Sequence, residues 1–169
     1  MPTTFTQIGS AVTVGSGGAA SIDFSTIPST YTDLVVKISG RTDKSSVFDD
    51  IAISFNGSTA SFSGRELYGD GSSAASITTA RAASIATGAT ATSSTFGNSE
   101  IYIPNYAGST YKNFSVDGVQ ETNATTAYAI MIAGLWSNTS AINQITLTPL
   151  VGSLFVQYTT AYLYGVSNA

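Results

Sequence analysis

The segment Ile51-Ala52-Ile53-Ser54-Phe55-Asn56-Gly57 gives the clearest indication of the fold. Its large apolar residues alternate with small ones, and a period of two places Ile51, Ile53 and Phe55 on one face of a strand. Asn-Gly follows at once, and both central residues of a type I′ turn need a positive φ, which Asn and Gly adopt readily. The segment therefore predicts a strand and a tight turn, with residues 60–68 returning beside it as a hairpin.

Short segments of the same kind continue along the chain, and each ends at Gly, Ser, Asn or Pro. They span residues 12–14, 21–24, 34–39, 100–103, 112–119, 128–136, 142–147 and 154–164. None is followed by a long segment with the helical period of 3.6, so parallel βαβ units are not expected. The pattern predicts an all-β protein, an antiparallel β-sandwich that is jelly-roll-like, with about 8–10 strands.

A single domain is the expected organisation, since domains commonly contain ~100–200 residues. We expect residues 19–169 to form this sandwich domain. Residues 1–18 are polar and end in glycines, and they predict an N-terminal arm or edge strand that pairs with the sheet or reaches a neighbouring subunit. Residues 72–94 are rich in Ala, Ser and Thr, and they predict a long loop or a short helix. A loop of this length in a compact domain usually serves an interaction.

The residue types that dominate catalytic sites are scarce in this chain. Its 169 residues include no Cys and no His, and only 9% are charged. Ser-His-Asp and Cys-His sites therefore cannot be built from it. Two carboxylates at the right separation could serve glycoside hydrolysis. The candidates are the loop with Asp43, Asp49 and Asp50 and the residues Glu66 and Asp70 that flank Tyr68, but acids that cap turns and solubilise a surface are the commoner case. We expect no enzyme and no cofactor.

One acidic loop contains the candidates for a metal site. Asp43, Asp49 and Asp50 could supply oxygen ligands to Ca²⁺, which binds six to eight of them. The spacing of an EF-hand loop is missing. We therefore expect no resident metal ion, and these three residues are the candidates if one binds.

The charge balance argues against nucleic-acid and membrane partners. The formal net charge is −4, and the six Lys and Arg residues are scattered, so there is no basic patch to neutralise phosphates. Apolar runs are far shorter than the ~20 residues of a spanning helix. We expect no nucleic acid and no membrane as partners.

Aromatic residues are abundant, with nine Tyr and eight Phe. Packing across strands is their main expected use, and binding to sugars or partner proteins is the other. Trp136 ends an apolar segment and is expected in the core. Tyr106 and Tyr111 flank a turn and are expected to be exposed. The predicted interface residues are Phe5, Ile8, Arg81, Ile85, Tyr106 and Tyr111.

Five phrases occur together in this chain, and their combination is informative. They are Ile27-Pro28-Ser29-Thr30-Tyr31-Thr32-Asp33-Leu34, Ser54-Phe55-Asn56-Gly57-Ser58, Leu67-Tyr68-Gly69-Asp70-Gly71-Ser72, Glu100-Ile101-Tyr102-Ile103-Pro104-Asn105-Tyr106 and Ala161-Tyr162-Leu163-Tyr164-Gly165-Val166. Over residues 21–166 the chain resembles small virion structural proteins of tailed bacteriophages of the marine type. The resemblance implies a component of the virion surface, assembled in the host cytoplasm, and it supplies no catalytic motif.

Two functions follow from the resemblance. The first is a capsid decoration or cement protein that binds the major capsid protein or other virion proteins and stabilises the head by mass action. Such a protein is expected to be a homo-oligomer, with a trimer favoured. The alternative is a tail-fibre or receptor-binding module that recognises host surface glycans. The absence of a shaft repeat favours the head over the tail, whereas exposed aromatic residues beside carboxylates would favour the receptor-binding module.

Overall fold

The computed structural model describes residues 4–124 and 126–167. Within these residues the chain forms 13 strands and no helix. The strands are β1 (Phe5–Gln7), β2 (Val12–Thr13), β3 (Ile22–Phe24), β4 (Asp33–Gly40), β5 (Phe48–Phe55), β6 (Phe62–Gly69), β7 (Ala74–Thr79), β8 (Ala82–Thr87), β9 (Gly97–Pro104), β10 (Lys112–Gln120), β11 (Tyr128–Trp136), β12 (Ile145–Pro149) and β13 (Thr160–Val166).

The strands form two antiparallel sheets. The larger sheet has nine strands in the order β1-β13-β4-β9-β10-β11-β6-β7, with β2 also paired to β13. The smaller sheet has four strands in the order β3-β12-β5-β8. The predicted all-β antiparallel sandwich is therefore confirmed. The strands outnumber the expected 8–10 because segments without clear alternation, such as β1 and β7, become strands by pairing with a neighbour.

The core lies between the two sheets and includes an aromatic cluster. Strands β9, β10 and β11 alternate strictly between buried and less buried residues, so one face of each supplies the core. In the cluster, the ring centroid of Phe55 lies 5.4 Å from Phe62, 5.9 Å from Phe114 and 5.5 Å from Trp136. Trp136 is buried, as its sequence context predicted.

The Asn-Gly turn forms, but the hairpin predicted from it does not. Asn56 and Gly57 have φ values of 53° and 73°, and the backbone N–H of Ser58 donates to the carbonyl of Phe55 over 2.9 Å. Beyond this turn the chain crosses to the other sheet, where β6 pairs with β11 and β7 rather than with β5. The crossing places Phe62 opposite Phe55, so burial of the two rings against each other replaces the local strand pairing.

Residues 72–94 contain two strands, so the prediction of a long loop or short helix is wrong. β7 pairs with β6 in the large sheet, and β8 pairs with β5 in the small one. All six residues of β8 are buried. Small Ala and Ser side chains let this edge strand lie inside the sandwich, where β5 pairs with one side of its backbone.

The two ends of the described chain lie side by side at the edge of the large sheet. β1 and β2 both pair with β13, so the described part of residues 1–18 forms edge strands of this subunit. Residues 1–3 of the predicted arm lie outside the described residues. The predicted strand over residues 154–164 begins only at Thr160, because Tyr158 adopts a φ of 72° that interrupts extended backbone.

Candidate functional site: an acid–tyrosine cleft

A cleft of about 200 Å³ opens at one edge of the sandwich, between β5 and β8 of the small sheet and β6, β7 and β11 of the large sheet. We call it the acid–tyrosine cleft. Its lining residues are Phe48, Asp50, Glu66, Tyr68, Asp70, Ile77, Ile85 and Tyr128. Residues 80–81 connect β7 of the large sheet to β8 of the small one.

Strand alternation directs the polar residues into the cleft. Glu66 and Tyr68 are two residues apart on β6 and therefore share a face, while Leu67 between them is exposed on the outer face. Strand pairing then places Tyr68 opposite Ile130 of β11 and Glu66 opposite Ile77 of β7.

Asp50 and Glu66 of the cleft lack hydrogen-bond partners in the part of the protein that the structure describes, whereas the third carboxylate, Asp70, accepts hydrogen bonds from Ser72 and Ser73. Glu66 is only 7% exposed, and within the described part of the chain its carboxyl group has no hydrogen bond or ion pair. The half-buried Asp50 carboxyl is in the same situation among the described residues. A buried carboxyl group without a partner is unfavourable, because desolvation penalises its charged form.

This environment changes the proton affinity of both groups. Burial raises the pKa of Glu66 to about 7, and the nearby Asp50 carboxylate adds to the rise. Burial also raises the pKa of Asp50, although Lys44 opposes this and Asp49 adds to it. Glu66 therefore carries a proton for much of the time near neutral pH and can then both donate and accept hydrogen bonds.

Aromatic rings form one wall of the cleft. The ring centroids of Phe48 and Tyr128 are 4.6 Å apart, and those of Tyr68 and Tyr128 are 6.3 Å apart. The ammonium group of Lys44 lies 4.8 Å from the centroid of Phe48. Burial raises the pKa of Tyr128, and the negative charges of Asp70 and Asp50 raise it further, so its hydroxyl remains a hydrogen-bond donor at neutral pH.

The combination matches a site for a small polyhydroxylated ligand. Carboxylate oxygens accept hydrogen bonds from hydroxyl groups, tyrosine hydroxyls can donate or accept, and aromatic faces pack against C–H groups. The volume is below the ~300–1,000 Å³ of pockets that hold drug-sized ligands. The cleft therefore suits one ring or the end of a chain.

Of the three acidic residues predicted as Ca²⁺ ligands, only Asp43 and Asp49 lie together, beside residues 151–154, where backbone N–H groups bind their oxygens. The buried Asp49 accepts hydrogen bonds from Thr42 Oγ1 and from backbone N–H groups of residues 151 and 152, at 3.0–3.3 Å. Asp43 accepts from the backbone N–H groups of residues 153 and 154. Asp50 instead lines the cleft. No group of three metal-ligating side chains of His, Cys, Asp or Glu occurs in residues 4–124 and 126–167.

Two of the predicted interface residues are buried. Tyr106, expected to be exposed, is 0% exposed because its ring packs in the core and its hydroxyl donates to the carbonyl of Pro28. Ile85 lies on the buried strand β8 and lines the base of the cleft. Both side chains are buried, so neither can contact a partner at the surface as the sequence predicted.

The other four predicted interface residues lie at different places on the molecule. Tyr111 is exposed on its turn, as predicted, and Phe5 is exposed at the sheet edge beside Tyr164. Ile8 is half-buried against the core. Arg81 is half-buried between β7 and β8, and its guanidinium donates to the carbonyl of Ile53 over 3.3 Å. The structure does not gather these four residues into one surface.

Sequence reasoning identified two separate acidic groups, the loop with Asp50 and the pair Glu66 and Asp70 that flanks Tyr68, but it did not bring them together or add Phe48 and Tyr128 to them. The local signal for Tyr68 was present, since it is two residues from Glu66 in a strand-like segment. The contribution of Tyr128 depends on β11 pairing with β6, which spans some 60 residues of chain.

Comparison with family models, with curated proteins and with solved structures found no match to this chain. No helix within residues 4–124 and 126–167 has the length and apolar character needed to cross a membrane.

Proposed function

We propose that this protein is a non-enzymatic recognition protein that binds a saccharide in the acid–tyrosine cleft. The observation that carries the proposal is Glu66, which is buried, has no partner among the described residues and lines a cleft beside Asp50 and two tyrosines. A sugar hydroxyl would supply the hydrogen bonds that Glu66 lacks. Exposed aromatic residues beside carboxylates would favour receptor binding over head decoration, and the cleft places half-buried Tyr68 and Tyr128 beside its carboxyl groups.

The resemblance to virion proteins of tailed bacteriophages would place such a module on a particle surface. The strand order is compatible with a jelly-roll-like arrangement, in which the chain passes repeatedly between two sheets. Strands β3, β5, β8 and β12 form the small sheet, and β4, β6, β7 and β11 lie in the large one, with the β9–β10 hairpin inserted between β4 and β11. Jelly rolls occur both in viral capsid proteins and in lectins, so this arrangement supports either location.

The proposal is tested by measuring saccharide binding to the purified full chain. Calorimetry and ligand-observed NMR would use a panel of neutral monosaccharides and purified bacterial lipopolysaccharide. We expect Glu66→Gln and Tyr128→Phe each to weaken binding by roughly tenfold, since the first replaces a carboxylate oxygen acceptor by an amide donor and the second removes a hydroxyl group. The matched controls Glu100→Gln and Tyr111→Phe change the same groups at positions outside the cleft and should bind like the wild type. Absence of binding across the panel, or equal binding by the cleft variants, would refute the proposal.

The carboxylate pair also makes hydrolysis a measurable alternative. A glycosidase needs one protonated and one ionised carboxyl group at a defined separation, and the raised pKa of Glu66 relative to an ordinary carboxyl would suit the acid. Release of reducing sugar from the bound saccharide, lost in both Asp50→Asn and Glu66→Gln, would overturn the non-enzymatic part of the proposal.

A second candidate function, decoration of a capsid, is favoured by a different surface. The outer face of the large sheet exposes Leu67, Val119 and Met131, with Met131 64% and Leu67 54% exposed. Met131 and Leu67 are directly paired across β11 and β6, so the apolar groups are contiguous. Contiguous exposed apolar groups mark interaction sites, and a shell protein is the partner implied by the resemblance.

The decoration function predicts that the purified protein sediments with assembled capsids and not with unassembled capsid protein. Met131→Glu should abolish this cosedimentation, because a charge would be buried in the contact. Val151→Glu places the same charge at another exposed apolar position and should have no effect. Few copies per particle, located at the tail, would favour receptor binding instead.

A further inference from the structure

The strand β7 ends the large sheet and is open on one side. It pairs with β6 through six consecutive residue pairs in an unbroken register. No other described strand pairs with its second side. Four of its six residues are exposed, and the other two are partly exposed. The backbone N–H and C=O groups along this side can therefore accept another strand.

The usual protection of an edge strand is missing from β7. Its sequence, Ala-Ala-Ser-Ile-Thr-Thr, contains no charged residue and no proline, and its register contains no bulge. Edges without these features are templates for pairing with another chain. The other edge strands of the two sheets differ from β7. β1 and β3 have only three residues each, and β8 is buried along its whole length.

The charges at the two ends of β7 are complementary to a second copy of the same edge. Asp70 precedes the strand, and hydrogen bonds from Ser73 and Ser72 lower its pKa to about 2, so it is ionised. Arg81 follows the strand. In an antiparallel pair of two β7 strands, the start of one lies beside the end of the other. Asp70 would then lie near Arg81 of the partner subunit, and two-fold symmetry would repeat the contact.

We propose that two copies of this chain form a symmetric dimer by antiparallel pairing of their β7 strands, which extends the large sheet across both subunits. A two-fold contact of this kind uses the same surface twice and closes at two copies. It accounts for a dimer, whereas the trimer expected from the resemblance would need a different contact. The exposed side chain of Ile77 lies in this edge and also lines the acid–tyrosine cleft, so the dimer would bring two clefts close together.

Sedimentation velocity of the full chain across a concentration series tests the dimer. Ser76→Lys adds a charge at an exposed position of β7 and should raise the dimer dissociation constant roughly tenfold or more, because the two lysines meet near the symmetry axis. Ser115→Lys adds the same charge to the outer face of β10, away from the edge, and should leave the dimer intact. Circular dichroism and melting temperature establish that each variant is folded.

Charge reversal provides an independent test of the pairing direction. Arg81→Glu should weaken the dimer, and addition of Asp70→Arg to the same chain should restore it, since the inter-subunit attraction returns with opposite signs. A wild-type protein that remains monomeric over the series would overturn the proposal. So would an oligomer that Ser76→Lys and Ser115→Lys affect equally, or a double variant that stays as weak as Arg81→Glu.

Discussion

Replacement of Glu66 by Gln is expected to stabilise the protein at alkaline pH and to leave its stability unchanged in acid. Burial raises the pKa of Glu66 from 4.5 to about 7 in the folded state. Between these two values the folded protein binds more protons than the unfolded chain, so stability falls as the pH rises. Below pH 4.5 the group is protonated in both states and contributes no such loss. Above pH 7 the loss is complete.

The size of the effect follows from the same values. Each pKa unit corresponds to ~1.4 kcal/mol, so the rise from 4.5 to about 7 gives an upper limit of roughly 3 kcal/mol. Solvent at the mouth of the cleft screens part of this, and we expect about 2 kcal/mol. Gln has nearly the same shape as protonated Glu and carries no charge at any pH. Glu66→Gln should therefore gain about 2 kcal/mol over the wild type at pH 8, which corresponds to roughly 4–8 °C in melting temperature for a chain of this length.

Thermal unfolding followed by circular dichroism between pH 4 and pH 9 measures this difference directly. The melting temperature of the wild type should fall relative to that of Glu66→Gln between pH 4.5 and pH 7. The two curves of melting temperature against pH should meet in acid. Glu100→Gln removes a carboxylate at an exposed position, where it pairs with Lys37 over 2.9 Å, and should give no gain at pH 8. Parallel curves for the wild type and Glu66→Gln at all pH values would show that Glu66 does not titrate in the way its burial requires.

Three further predictions concern stability, each measured by urea denaturation. Gly134→Ala should destabilise the protein by about 1–3 kcal/mol because its Cβ would overlap the Phe114 ring, whereas Gly69→Ala meets nothing closer than 3.8 Å and should be nearly neutral; equal effects would contradict this packing. Lys112→Met should cost about 1–3 kcal/mol, because the buried ammonium group of the wild type donates to three backbone carbonyls that Met leaves unpaired. Unchanged stability would contradict this role of the ammonium group. Asn56→Ala should cost about 2–3 kcal/mol because it loses three hydrogen bonds to the segment before β12 and must keep a positive φ. Asn56→Gly accommodates the positive φ, so it should recover only the part of the lost stability that comes from backbone strain.

The cleft illustrates how far local sequence patterns reach in the prediction of a site. Residue type alone identified Glu66 and Asp50 as candidate carboxylates, but in two separate acidic groups of the sequence. Their proximity depends on β5 and β6 lying in different sheets that both line the cleft, which no local pattern reports. The local Asn-Gly signal predicted a different arrangement, in which β5 and β6 pair with each other in one sheet.

The sequence by itself determined the fold class, the positions of most strands and the turn at Asn56-Gly57. These features depend on side-chain alternation and on the φ preferences of single residues, which act over a few positions. Only the tertiary structure decided which strands pair, that the Ala/Ser/Thr-rich β8 is buried, and that Tyr106 is in the core. Those outcomes depend on the burial of surfaces contributed by distant parts of the chain. The contact of Phe62 with Phe55 is an example, since here burial prevails over the local preference for a hairpin.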